Sequence, residues 1–147
     1  MCFASFSQDM SKVNAIDSIV KQINSSNFAT RYDTLNQDKP DLGLRMKTYL
    51  TTVMDGNKLK KFVNHVNAIT DQNGQARKMI GTNSFYFDQD QLIKVEESIM
   101  DGDKTGKADW YYADDKPLYY TFKSERSEER ALLLLSMAQN MLKQVQK

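Results

Sequence analysis

Five Asp-led turn clusters punctuate the chain after Leu44: Asp55-Gly56-Asn57, Asp71-Gln72-Asn73-Gly74, Asp88-Gln89-Asp90-Gln91, Asp101 to Gly106, and Asp114-Asp115-Lys116-Pro117. Asp, Asn and Gly either bond the turn backbone with their own side chains or tolerate positive φ, as a tight reversal requires. The leading aspartates stand at 55, 71, 88, 101 and 114, so the clusters recur every 13 to 17 residues. Connections this short join only antiparallel neighbours, because a parallel crossover needs a dozen or more residues of its own. Five turns predict a meander of about six strands, over 44–53, 59–69, 75–87, 92–100, 107–112 and 118–122. Within it, Leu44, Met46, Leu50 and Met54 alternate onto one face of the first strand. Ile93, Val95 and Ile99 are expected to share one face of the fourth. One face of such a sheet is built to be covered.

The cover is expected from the last segment. Ala131, Leu134, Leu135, Ala138, Met141, Leu142 and Val145 repeat at the spacing of one helical face. Ser127 is placed to act as N-cap, Glu128 and Glu129 complement the positive end of the dipole, and Lys143 and Lys147 the negative end. A second amphipathic helix is predicted over 9–26, from Met10, Val13, Ile16, Ile19, Val20 and Ile23. Ser25-Ser26-Asn27 ends it, and 36–41 reads as a polar connection, with a short turn of helix or strand over 32–35. The expected fold is α+β: an N-terminal helix, an antiparallel meander, and a C-terminal helix packed on one sheet face, forming a single domain over 9–147.

Composition excludes more than it assigns. The chain of 147 residues carries 20 Lys and Arg against 19 Asp and Glu, a net charge of +1, so no long-range field selects nucleic acid or an anionic membrane. Cys2 and His65 are the only residues of their kinds. No disulfide or thiolate cluster can form within the chain, no cofactor is implied, and a hydrolase triad would have to be built around His65 alone. No apolar run approaches the roughly 20 residues that cross a bilayer as a helix. Residues 1–8 are small and apolar and then turn polar, with Ser5 and Ser7 ahead of Gln8, the pattern of a signal-peptide remnant. A periplasmic or secreted location is expected on this reading; an ordinary amino terminus would leave the chain cytoplasmic.

Four constellations bear on function. Trp110, Tyr111 and Tyr112 on the fifth strand and Tyr119, Tyr120 and Phe122 on the sixth put aromatics on both sides of one hairpin. A sheet half-buried on one face needs them on one side only, so the surplus is a candidate surface for a sugar, an apolar small molecule or a protein. Phe85-Tyr86-Phe87 before the Asp88 turn echoes Trp110-Tyr111-Tyr112 before the Asp114 turn, as hairpins repeated in a meander do. Asp101, Asp103, Thr105 and Asp109 stand at positions one, three, five and nine of a stretch with Gly106 at six, the front of a calcium loop. Tyr112 replaces the acidic residue at position twelve, which leaves the ion short of oxygens. Arg45, Lys47, Lys58, Lys60 and Lys61 read as solvated strand edges, since no stacking motif accompanies them. Glu96 and Glu97 face opposite ways on a strand and cannot easily share a catalytic site.

The acidic-turn, Tyr-rich hairpin followed by a Leu-rich helix resembles small exported domains of unknown function from Bacteroidota, which implies a periplasmic or surface location and supplies no catalytic residues. The curved meander closed by a long final helix is also similar to the helix-grip fold, whose family expectation is an apolar ligand between helix and sheet; its initial strand and paired short helices are not legible here. The functions expected are a noncatalytic binding or interaction domain of the cell envelope or, alternatively, a carrier of a lipid or other apolar ligand under the C-terminal helix. Expressed with its upstream codons, the mature protein is expected to leave the cytoplasm and begin near Gln8, as amino-terminal sequencing would show; intact Met1 recovered from the cytosol would contradict export.

Overall fold

A computed structural model describes residues 2–145. The elements follow in the order α1 (Cys2–Ser25), β1 (Ala29–Asn36), a 3-10 turn (Pro40–Leu42), β2 (Leu44–Asp55), β3 (Lys58–Gln72), β4 (Gln75–Asp88), β5 (Gln91–Asp101), β6 (Lys104–Ala113), β7 (Lys116–Tyr120) and α2 (Ser127–Val145). The strands form one antiparallel sheet in chain order, β1 to β7. This is the expected α+β meander with a helix at each end and α2 on the sheet, extended by one strand. Residues 32–35, expected as a short turn of helix or strand, lie in β1, which pairs with β2 along its whole length and takes in Asn36 from the expected polar connection. No helix among the described residues is long and apolar enough to cross a membrane.

The turns carry the chemistry that their sequences require. Asn73 and Gly74 have φ of 56° and 75°, Gln89 and Asp90 52° and 60°, and Asp114 and Asp115 54° and 59°. Positive φ at both central residues is the geometry that matches the twist of two-residue hairpins.

Both sheet faces are covered at the end where the aromatics lie. On one face Phe85, Phe87, Leu92, Val95, Trp110 and Tyr112 pack against Ala131, Leu134, Leu135, Ala138 and Leu142 of α2. On the other, Tyr86, Ile93 and Tyr111 pack against Val13, Ile16, Val20 and Ile23 of α1. Three register shifts lie beside these cores: β3 gains Lys60 opposite Val53 and Met54, β5 gains Ile93 opposite Tyr86 and Phe87, and β7 gains Leu118 opposite Tyr111 and Tyr112. A bulge inserts one residue and breaks strict alternation. Ile93, expected on the face of Val95, is therefore turned to the α1 side, while Val95 stays with α2.

Two helix boundaries also differ from the sequence expectation. α1 begins at Cys2 rather than Asp9, so residues 2–8 of the expected leader remnant form its first turns. Met1 and Lys147 lie outside the described residues. Ser127 does not cap α2: its hydroxyl donates to the Phe122 carbonyl at 2.7 Å and accepts the Ser124 N–H at 2.8 Å. It ties down the loop entering the helix, and the Arg126 carbonyl accepts the first helical bond, from the Arg130 N–H.

Leu134 and Leu135 are buried under α2 whereas Leu132 is 50% exposed. Leu134→Ala or Leu135→Ala is expected to cost about 2 to 5 kcal/mol in urea unfolding, and Leu132→Ala within about 0.5 kcal/mol. Equal losses at Leu132 and Leu135 would mean that the other face of α2 is the buried one.

Candidate binding groove

The structure disposes of the aromatic hairpin mainly as core. Trp110, Tyr111 and Tyr112 are buried and Tyr119 and Tyr120 half-buried. Trp110 lies against Tyr120 on the α2 side and Tyr111 against Tyr119 on the α1 side, with ring centroids 5.3 and 6.0 Å apart. The surplus face inferred from sequence is thus the floor for α1. The half-exposed tyrosines are already engaged, since Lys123 Nζ stands 5.1 Å from the Tyr119 ring centre and 4.5 Å from that of Tyr120.

The candidate calcium ligands are not brought together. Asp101 and Lys104 close a two-residue turn at Gly102-Asp103, and Thr105 and Asp109 lie four residues apart on β6. Four residues of extended strand span about 13 Å, too far for one ion. Asp101 is held by the Arg77 guanidinium, whose hydrogen bonds keep the carboxyl below its ordinary pKa range. Among the described residues no three of His, Cys, Asp and Glu gather as a metal site.

The basic residues are not edge guards, because β1 places β2 and β3 inside the sheet. Lys58 pairs with Asp90 at 2.6 Å and Lys60 with Asp88 at 3.8 Å. Lys61 donates to Asn24 Oδ1 at 2.8 Å and overlies Tyr86. Glu96 and Glu97 do diverge: Glu96 lies 3.3 Å from Lys94 on the α1 side, and Glu97 meets Arg130 of α2 on the other.

One polar cluster escaped the sequence reading. Asp17 Oδ1 of α1 accepts hydrogen bonds from Lys94 Nζ at 2.8 Å and from the Tyr111 hydroxyl at 2.9 Å. Lys94 is almost wholly buried, and Ile93 in the bulge gives no warning that the next residue stays on the same side. Burial alone would lower the Lys94 pKa, but Asp17, Tyr111 and Glu96 outweigh it and hold the amine above its ordinary value. Burial pushes Tyr86 and Tyr111 up to about 12. Tyr112, whose hydroxyl donates to the Ala131 carbonyl at 2.8 Å, is raised as well by burial. His65 Nδ1 shares a 2.7 Å contact with Thr82 Oγ1 beside the Tyr49 ring, a pairing of neighbouring strands.

The concave surface lies elsewhere. α2 crosses the sheet over β7, β5 and β3. Beneath its C-terminal turn an open groove of about 580 Å³ runs to β1. Met54, Leu59 and Phe62 form its floor, Met141 and Val145 one wall, and Thr30, Arg31, Thr52 and Gln144 its polar rim. A second groove, of about 540 Å³, lies at the other end of α2, where Trp110 and Phe122 meet Ile99, Arg126 and Arg130. Trp110 and Phe122 are the aromatic-hairpin residues on its lining. Comparison with models of known protein families, with curated proteins and with solved structures found no match to this chain.

The tyrosine shifts fix a pH response. A group whose pKa is higher folded than unfolded supports the fold fully below its unfolded value, near 10, and ceases to do so as pH rises through its folded value. Stability is expected to fall between pH 10 and about 12, and absorbance titration should show Tyr86 and Tyr111 ionising near 12 or only on unfolding. Titration of all tyrosines near pH 10 in a folded chain would contradict their burial.

Proposed function

We propose that this chain is a noncatalytic binding domain of the cell envelope and that it takes a lipid or other apolar small molecule into the groove between α2 and β1 to β3. The observation that carries the reading is the groove itself. Its volume of about 580 Å³ lies within the usual range of small-molecule sites, and an apolar floor with a few rim polar groups is the usual composition of such sites. It is placed under the C-terminal helix, where a carrier of an apolar ligand needs room, while the middle of that helix is packed solid through Leu134, Leu135 and Ala138.

The pKa shifts of the buried core groups speak against acid–base catalysis by them, although burial moves Lys61 down and Asp109 up, toward neutrality. Lys94, Tyr86, Tyr111 and Tyr112 all move away from neutrality, so each keeps its proton at physiological pH. A general acid or base works best with a pKa near the operating pH. The envelope location is proposed on what the resemblance of the Tyr-rich hairpin and final helix to exported domains implies.

Native mass spectrometry of the purified protein and titration with a fluorescent fatty acid test the proposal. Saturable binding is expected, weakened at least about tenfold by Thr52→Trp, which fills the groove from β2. Absence of both a co-purifying small molecule and saturable probe binding, or a folded Thr52→Trp chain that binds as the wild type does, would remove the groove as the site and favour a protein partner.

A further inference from the structure

The two edges of the sheet are built differently. β7 is five residues long and carries Lys116 and Pro117, a charge and a missing N–H that discourage a further strand. β1 is eight residues long, has neither Lys nor Pro, keeps an unbroken register with β2, and is exposed at every residue. Nothing among the described residues pairs with its outer side.

The register shows which groups face outward. The Gln37 N–H donates to the Met46 carbonyl at 2.8 Å, in line with the pairing of Asn36 and Lys47. Main-chain bonding alternates along an antiparallel pair, so the odd-numbered residues of β1 turn their N–H and C=O groups to β2. Thr30, Tyr32, Thr34 and Asn36 turn theirs away from the sheet. Arg31, Asp33 and Leu35 send their side chains to the α2 side: Arg31 pairs with Thr52, which pairs with the core-packed Phe62, and Arg31 Nε meets Asp33 Oδ2 at 3.0 Å.

The segment Thr30-Arg31-Tyr32-Asp33-Thr34 is charge-complementary to itself when reversed about Tyr32. We propose that β1 pairs antiparallel with β1 of a second copy of this chain, about a two-fold axis at Tyr32, joining the two sheets into one. In that register the outward main-chain groups of Thr30, Tyr32 and Thr34 meet Thr34, Tyr32 and Thr30 of the other copy, making about six main-chain hydrogen bonds. Arg31 faces Asp33 of the other copy, and the symmetry makes this pair twice. These are the close, non-hydrogen-bonded positions at which opposite charges attract and like charges repel most. Ala29 faces Leu35, which is 46% exposed in a single copy and comes to lie beside the groove rim. The neighbouring registers that keep the same outward groups bonded are disfavoured, because one sets Asp33 against Asp33 and the other Arg31 against Arg31. Two faults of like charge thus flank one complementary register, and complementarity of the segment with its own reverse selects a second copy over an unrelated strand. The inference does not rest on a ligand in the groove.

Sedimentation equilibrium of the full chain, from low micromolar to near-millimolar concentration, tests it. The wild type is expected to show a monomer–dimer equilibrium. Arg31→Asp alone and Asp33→Arg alone should each weaken the dimer at least about tenfold, since each turns two attractive pairs into repulsive ones. An equimolar mixture of the two variants should recover a heterodimer, because the strand left with two acidic side chains then faces the strand left with two basic ones. Thr34→Pro, which removes an N–H that no strand of the same chain uses, should also give a monomer, with circular dichroism confirming that the fold persists. A wild type that is monomeric throughout overturns the proposal. So does a dimer indifferent to both charge reversals, or one that the mixture fails to restore.

Discussion

Phe85-Tyr86-Phe87 on β4 and Trp110-Tyr111-Tyr112 on β6 send large rings alternately to the two sides of the sheet, and each side must then be shielded from water. That requirement decides the architecture. Phe85, Phe87, Trp110 and Tyr112 need α2, and Tyr86 and Tyr111 need α1. A ring of this size buries on the order of 150 to 250 Å², so loss of either helix would expose an apolar face too large for a stable monomer. The tyrosine hydroxyls are satisfied within the same packing, whereas the Trp110 indole N–H is buried without a partner among the described residues. Tyr112 reaches the Ala131 carbonyl of α2, Tyr111 reaches Asp17 of α1, and Asn24 of α1 reaches Tyr86. Each helix is therefore fixed in register by a hydroxyl as well as by its apolar stripe.

Lys94 shows what the bulge in β5 contributes. With Ile93 inserted, two consecutive residues sit on the α1 side, one buried as hydrocarbon and the other as an ammonium. An ammonium this deep is tolerable only because Asp17 and Glu96 stand at 2.8 and 3.3 Å, and Asp17 remains partly in water. Breaking such a pair costs more than never having made it. The arrangement favours one placement of α1 over neighbouring ones along the sheet, because only there does Asp17 meet both Lys94 and Tyr111.

Most of the meander was legible in the sequence because its signals are local. A hairpin turn needs particular residues at particular φ, and Asp, Asn and Gly announce it wherever it falls. The stripes of α1 and α2 are likewise local periodicities. What could not be read depends on residues far apart in the chain. The turn of Ile93 to the α1 side follows from an offset against Tyr86 and Phe87, and nothing within β5 records it. The aromatics of β6 and β7 looked like a surface because the packing partner of their second face, α1, lies nearly a hundred residues earlier. The groove has the same origin: Met54, Leu59 and Phe62 meet Met141 and Val145 only in three dimensions. The aspartates of the Asp101 turn spelled part of a calcium loop, but the turn they serve is a two-residue hairpin, and strand geometry then drives Thr105 and Asp109 away from it.

β1 was the least legible element, and the cause bears on its use. All eight of its residues are exposed, so no alternation of apolar and polar positions marks it as a strand, and only the β-forming character of Thr30, Tyr32 and Thr34 suggests one. The same lack of cover leaves its outer main-chain groups without a partner from the described chain and makes it one rim of the groove. Stability is concentrated where the aromatics lie, under both helices, and β1 contributes to the fold mainly through its ladder with β2. Substitutions on β1 that spare that ladder can therefore change the groove rim and the sheet edge while the core keeps its packing. In this fold the separation of the packed end from the open groove and the unpaired sheet edge follows from where the two helices stop.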